Sequence, residues 1–421
     1  MSQTTILGTQ GDDTLSGTAG ADHLQGLAGN DDYLVNHTGD VVEEAADPGI
    51  DEVFTTLNAY ALPDFVENLI FTGTGSFTGT GNGISNFIMG GAGDDTIDGG
   101  AWNDTMMGGA GNDDYYVDNA WDQVWESAQD AGIDEVFTTL NAYALPDFVE
   151  NLIFTGTGSF TGTGNGISNF IMGGAGDDTI DGGAWNDTMM GGAGNDDYYV
   201  DNAWDQVWES AQDAGIDEVF TTLNTYALPD FVENLIFTGT GSFTGTGNGI
   251  SNFIMGGAGD DTIDGGAWND TMMGGAGNDI YRVDNGWDQV WEAGNGGVDT
   301  IVTTLDSATL AANVENLVYA GSGDFAGSGN ALDNRIAGAA GNDVLTGHGG
   351  ADIFVLGAGA DLVTDFTLGE DRVAVAAVAS FEDLLPLLSQ QGEDVLLALG
   401  GTLTLASVDL ASLSAADFIF G

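Results

Sequence analysis

The chain has 421 residues, of which 69 are glycine and 66 are aspartate or glutamate, against only 3 lysines and arginines together and no cysteine, for a formal charge of -63. So few basic groups exclude the replacement of counterions on DNA or RNA and docking on an anionic membrane; no apolar run approaches the ~18 residues of a membrane span, and thiolate metal sites and disulfides are excluded. Carboxylates at this density repel one another on compaction, so a fold at neutral pH needs counter-charge from outside the chain, and divalent cations supply it most simply.

The N-terminal residues carry no basic segment and no long apolar stretch, which sets them apart from a Sec signal peptide. Residues 1–49 enter at once into three tandem nonapeptides, phased on Asp13, Asp22 and Asp31, with Leu15, Leu24 and Tyr33 two positions further on. An 83-residue period then begins: 50–132 and 133–215 are identical at every position. A third copy over 216–297 departs at Thr225, Ile280, Arg282 and Gly286, and a diverged fourth occupies 298–355. Such self-similarity marks a stacked array, expected as one continuous solenoid, and identity this complete marks recent duplication or deliberate assembly.

Within each copy the nonapeptide returns as a triplet. The first reads Gly90-Gly91-Ala92-Gly93-Asp94-Asp95-Thr96-Ile97-Asp98, and the sixth positions of its triplet are Asp95, Asp104 and Asp113. They recur as Asp178, Asp187 and Asp196, as Asp261, Asp270 and Asp279, and finally as Asp343, Asp352 and Asp361. Glycines at positions one, two and four permit positive φ and close backbone approach, giving a tight turn with inward carbonyls, to which the aspartate adds a carboxylate. Residues seven to nine alternate as a short strand, sending Ile97 inward. An all-oxygen, flexible donor set suits Ca²⁺ better than Mg²⁺.

Two nonapeptides make a coil of about 18 residues, so that turns two apart stack ~4.8 Å from each other and one ion can bridge them. The complete pairs are Asp13 with Asp31, Asp95 with Asp113, Asp178 with Asp196, Asp261 with Asp279, and Asp343 with Asp361. The middle aspartates, Asp22, Asp104, Asp187, Asp270 and Asp352, fall on the opposite edge and need a partner from a flanking coil. In the copies Asn86, Asn169 and Asn252 hold that phase, and their neutral oxygens predict weak binding or none. Trp102, Trp185 and Trp268 replace the fourth-position glycine of the middle nonapeptide, which disfavours positive φ there and directs a tryptophan outward.

The repeated GGxGxDxUx pattern resembles the RTX, or hemolysin-type, calcium-binding repeat family. The resemblance implies an all-β fold, a right-handed parallel β-roll or β-solenoid with calcium-binding turns and a small C-terminal cap. It implies multiple Ca²⁺ ions held by the fifteen aspartates named above. Spacers such as 118–126, 134–140 and 149–154, rich in β-branched and aromatic residues, read as further strands of the same solenoid, some of whose coils must exceed 18 residues because 83 is not a multiple of 18. Residues 356–421 are similar to the cap of serralysin-like RTX domains: Ser380 is placed to cap a short apolar helix, and strands are expected at 395–399 and 402–405. The ending Asp417-Phe418-Ile419-Phe420-Gly421 resembles the uncleaved C-terminal signal of type I secretion substrates and reads equally as a last cap strand. The resemblance thus implies export through a type I apparatus to the extracellular space or cell surface.

No catalytic constellation is legible. HExxH and GxSxG are absent, a P-loop lacks its lysine, and His23, His37 and His348 stand far apart. Acid pairs such as Asp94-Asp95 recur in every copy, as metal turns would. The expectation is a non-enzymatic, calcium-folded structural or adhesive protein, a filament, matrix or surface-layer component that self-associates end to end. The alternative is a non-catalytic secretion and folding module of, or companion to, a secreted hydrolase.

Overall fold

The computed structural model describes residues 3–355 and 357–421; the expected start of the cap at residue 356 lies outside them. The described chain falls into two compact units, 1–216 and 217–421. Each is a parallel β-solenoid of short strands, with almost no helix.

In the first unit the strands of one 83-residue copy run Glu52–Thr55, Ala59–Ala61, Asn68–Phe71, Thr78–Thr80, Phe87–Ala92, Thr96–Asp98, Thr105–Ala110, Asp114–Val117 and Gln123–Val124. Successive strands alternate between two faces, each pairing in parallel with the strand two places on. Through the triplet the register is the expected 18 residues, as Phe87 pairs with Thr105 and Ile97 with Tyr115. In the spacers the interval varies: Asp114 pairs with Glu135, 21 residues on, Glu135 with Asn151 after 16, and Asn151 with Phe170 after 19. The spacer coils are therefore both longer and shorter than 18. Nine strands per copy is an odd number, so identical residues of successive copies alternate faces. Thr96–Asp98 lies in one nine-stranded sheet, whereas its counterpart Thr179–Asp181 lies in the next.

The core is a column one side chain wide on each face. Val53, Leu69, Ile88, Met106 and Val124 stack in register, all buried, and Ile97, Tyr115, Val136 and Leu152 do so opposite. Each such burial contributes about 1.5–3 kcal/mol. Where the spacer lacks nonapeptides, aromatic and amide side chains hold the bend. Phe71 stacks on Phe77 with ring centroids 4.6 Å apart. The Asn82 amide donates to the Pro63 carbonyl at 2.6 Å and to that of Val66 at 2.7 Å. Asn165 repeats this pair of bonds.

The second unit repeats the pattern from Glu218–Thr221 to Ala360–Val363 and closes differently. Ser380 caps the helix Phe381–Leu384 by accepting from the Asp383 amide, as its sequence suggests. The strands Leu388–Gln391, Asp394–Ala398 and Thr402–Leu405 are antiparallel to one another, and the last joins Ala360–Val363 in parallel. Phe418–Phe420 pairs in parallel with Arg372–Val375, so the final residues do form a cap strand.

Replacing Asn82 with Ala leaves the Pro63 carbonyl without its donor and the Val66 carbonyl with the Asn86 amide alone, and is expected to lower the stability of its own coil by about 1–3 kcal/mol. Hydrogen exchange should quicken across 62–86 and stay unchanged in the equivalent coil around Asn165; uniform acceleration along the chain would contradict a locally held bend.

Candidate metal centres

Each nonapeptide glycine has its own task. A Cβ on Gly90 would overlap the Asp95 carboxylate, and one on Gly108 that of Asp113, so position one provides room rather than a special φ. Positions two and four provide the turn: Gly91 has φ +119° and Gly93 φ +139°. The aspartate is thereby drawn beneath the backbone. Asp95 and Asp113 are essentially inaccessible to solvent.

Once inside, the carboxylates form a ladder along the solenoid edge. Oδ1 of Asp95 accepts from the Phe77 amide at 2.8 Å, and Oδ1 of Asp113 accepts from the Asp95 amide at 2.7 Å. The same bond joins Asp13 to Asp31 (2.8 Å), Asp178 to Asp196 (2.8 Å), Asp261 to Asp279 (2.8 Å) and Asp343 to Asp361 (3.1 Å). All five pairs expected from the sequence are stacked. One oxygen of each carboxylate is thus satisfied. The second oxygen, Oδ2, of Asp31, Asp95, Asp113, Asp178, Asp261, Asp279 and Asp343 is buried without any hydrogen-bond partner, whereas that of Asp13 accepts from Thr9.

On the opposite edge the middle aspartates behave alike. Asp104 accepts from the Asn86 amide at 2.7 Å, and its own amide donates to Asp122 at 3.0 Å. Asp187, Asp270 and Asp352 accept in the same way from Asn169, Asn252 and Asn334, each at 2.8 Å. Asp22 donates its amide to Asp40 at 3.0 Å. Oδ2 of Asp104, Asp187 and Asp270 is also unpartnered. The flanking partner on the downstream side is therefore an aspartate (Asp122, Asp205, Asp288), which the sequence reading did not identify. Asn86 is complete by itself: Oδ1 accepts from Asn82, and its amide donates to the carbonyls of Val66 and Glu67 at 3.0 and 3.1 Å. Its turn has no open oxygen to offer a cation from that side chain.

Trp102 departs from expectation in one respect. It keeps the positive φ of the glycine it replaces, +84°, at a steric cost of order 1–3 kcal/mol, while the residue is 64% exposed. Trp185 and Trp268 do the same. In the first two nonapeptides of the N-terminal block threonine stands at position two, and its hydroxyl reaches the carboxylate, at 2.8 Å for Thr9 to Asp13 and 2.7 Å for Thr18 to Asp22.

Spacer residues extend the ladders. The amide of Asp31 donates to Asp51, that of Asp113 to Asp134 and that of Asp279 to Asp299, each at 2.8 Å, and all three acceptors are buried. Their signal is the triad aspartate–any–apolar, as in Asp134-Glu135-Val136, which matches Asp95-Thr96-Ile97 and keeps a glycine two residues before the aspartate, Gly132 like Gly93, without the paired glycines that open a nonapeptide.

Unpartnered buried carboxylate oxygens, stacked in pairs with no cationic side chain beside them, fit a bound cation. Among the described residues the ion pairs are His23 with Glu43 at 2.7 Å and Arg282 with Asp264 at 3.8 Å, and none touches a ladder aspartate of a triplet. The residues that would hold the ions are the paired aspartates, and flexible multi-oxygen ligation is what Ca²⁺ accepts.

The profile of the RTX calcium-binding nonapeptide repeat (4 copies) matches residues 7–34, 80–115, 163–198, 246–281 and 328–363. The chain is 40% identical over 213 residues to the endo-1,3-1,4-beta-glycanase ExsH of Rhizobium meliloti (strain 1021), covering 47% of this chain and 44% of the glycanase. It therefore spans less than half the length of that relative. A likeness to the extracellular lipase LipA of Serratia marcescens covers 70% of this chain and 45% of the lipase at 14% identity, with a TM-score of 0.16.

Burial fixes the proton linkage. Desolvation, with weaker repulsion from neighbouring carboxylates, pushes Asp95 up to about 6 and Asp104 and Asp113 up to about 7. An unfolded aspartate titrates near ~3.9. The cation-free fold thus holds the extra protons: their stabilisation is full below about pH 4 and is lost as pH rises through about 6–7. Metal-stripped chain taken from about pH 7.5 to about pH 5.5 should gain β signal by circular dichroism, and the calcium midpoint should rise over the same step as protons compete. A midpoint indifferent to this step would contradict inward carboxylates as the ligands.

Proposed function

We propose that this chain, which carries the RTX calcium-binding nonapeptide repeat, is a non-catalytic scaffold that assembles when calcium neutralises its turns and that serves outside the cell as a structural or adhesive component. The observation that carries this reading is the buried, unpartnered carboxylate oxygen recurring from turn to turn. At cytosolic calcium levels those carboxylates repel, the thin core fails to offset chain entropy, and the chain stays open, which suits passage through a type I secretion channel. Outside, each ion binds only the folded form and adds about 2.7 kcal/mol at a hundredfold excess over its Kd. Several such increments decide the equilibrium.

Adhesion is supported by the placement of tryptophan. All nine tryptophans have more than half their surface exposed, including Trp121 and Trp125 and their counterparts in the next two copies. Monomeric proteins seldom leave so many large aromatics uncovered, and such residues favour association. Self-association of the calcium-loaded chain is therefore part of the proposal.

A second reading has its own support. The 40% identity with part of a glycanase favours a non-catalytic repeat module of a secreted hydrolase, or a companion to one. Light scattering of the purified chain at millimolar Ca²⁺ separates the two. The structural reading expects calcium-dependent growth in particle mass, reversed by EGTA, with no turnover of β-glucan, lipid ester or protein substrates. A strict monomer at high concentration contradicts it and leaves the module reading, whereas turnover that copurifies with the chain contradicts both.

A further inference from the structure

A cluster at the end of each 83-residue triplet involves residues that no nonapeptide contains. Oxygens of Asp113, Glu126, Asp130 and Asp134 lie within 4.8 Å of one another. Three oxygens here, Oδ2 of Asp113, Oε2 of Glu126 and Oδ2 of Asp130, are buried with no hydrogen-bond partner, and Asp113 itself is fully buried. We infer that this is a further cation site, a hard-ion site at the end of the ladder, which shares Asp113 and Asp134 with it and is closed by the spacer carboxylates of Glu126 and Asp130. It rests on the calcium reading above.

A dedicated hydrogen bond aims the glutamate. In the third nonapeptide of the triplet, position eight is tyrosine instead of Ile97 or Met106. The Tyr115 hydroxyl accepts from the Gly108 amide at 2.6 Å and donates to Oε1 of Glu126, leaving Oε2 free to face the cluster. The diverged N-terminal block has the same tyrosine–glutamate bond: Tyr33 donates to Glu44, which meets Asp31 and Asp51 and whose other oxygen accepts from the Ala45 amide at 2.8 Å. In the second unit Tyr281 donates to Glu292, which meets Asp279 and Asp299. The pairing of tyrosine with a glutamate eleven residues on holds in four triplets, Tyr198 with Glu209 included, and both members are missing from the fifth, where Val363 and Ala374 stand instead. A tyrosine kept only to bury a side chain would not need the glutamate to come and go with it.

Ligand chemistry follows from size and charge. An ion with oxygens at ~2.3–2.6 Å spans about 4.6–5.2 Å and so reaches oxygens that all lie within 4.8 Å of one another, and a flexible set of carboxylates suits Ca²⁺ better than the strict octahedron and retained waters of Mg²⁺. The full set around Asp113 brings four negative charges. The set around Asp279 has only three, because Gly296 stands where Asp130 does. Its affinity should be the lower of the two.

The test uses the full chain in saturating Ca²⁺, with bound ions counted by equilibrium dialysis. The single variant Glu126→Gln should bind one ion fewer, and the fourfold variant Glu44→Gln, Glu126→Gln, Glu209→Gln and Glu292→Gln four fewer, with the ladder ions kept. Sensitised emission from Tb³⁺ should fall with each substitution, since Tyr115 is hydrogen-bonded to the site. An unchanged count and emission in the single variant, which leaves three sites intact, overturns the inference while leaving calcium-dependent folding in place. Loss of calcium-dependent folding in the unaltered chain would overturn the underlying reading instead.

Discussion

A carboxylate turned inward beneath its own turn, with one oxygen tied to the backbone of the coil before it and the other left open, is the constraint on which the rest of this molecule depends. The backbone bond fixes the height of each turn above the last, so the ladder from Phe77 through Asp95, Asp113 and Asp134 sets the stacking of coils. The open oxygen is costly in isolation, since a buried acceptor without a partner forfeits roughly 1–3 kcal/mol, and more when charged. The cost recurs at turn after turn, and a cation bound there would relieve it. The hydrophobic columns are too thin to compensate, and the chain offers almost no cationic side chains to do so.

Asparagine shows the alternative within the same architecture. Asn86 occupies an aspartate position and closes its turn with its own amide, donating to two carbonyls that would otherwise face the turn. The spacers use this neutral closure, together with Asn82 and the Phe71–Phe77 stack, where nonapeptides are absent. Turns with an open carboxylate oxygen and turns closed by asparagine thus both occur within each copy. The odd number of strands per copy adds a second consequence: Asp95 and Asp178, identical in sequence, lead into different sheets, so the charged turns of successive copies do not accumulate along a single edge.

Much of this was legible in the sequence because the nonapeptide fixes backbone and ligand together. The parallel coil, the inward Ile97, the five stacked aspartate pairs and the Ser380 cap all followed from local pattern. The downstream partners Asp122 of the middle aspartate and Asp134 of the third did not, because they belong to turns without the paired glycines of the nonapeptide, where the aspartate–any–apolar triad is the main signal. That some coils exceed 18 residues followed from the 83-residue period, but which coils are long and that others shorten to 16 did not, since a solenoid absorbs an insertion or deletion in its corners without disturbing the register of its strands. Trp102 shows the limit of a steric rule: the ladder on either side holds its turn in a conformation that the side chain alone disfavours.

The most direct test is the far-UV circular dichroism of the purified chain at neutral pH after exhaustive removal of metal. Cations clamped between turns require a coil-like spectrum in that state and a cooperative return of β signal on adding Ca²⁺, much weaker with Mg²⁺. A full β spectrum that survives stripping would contradict the account.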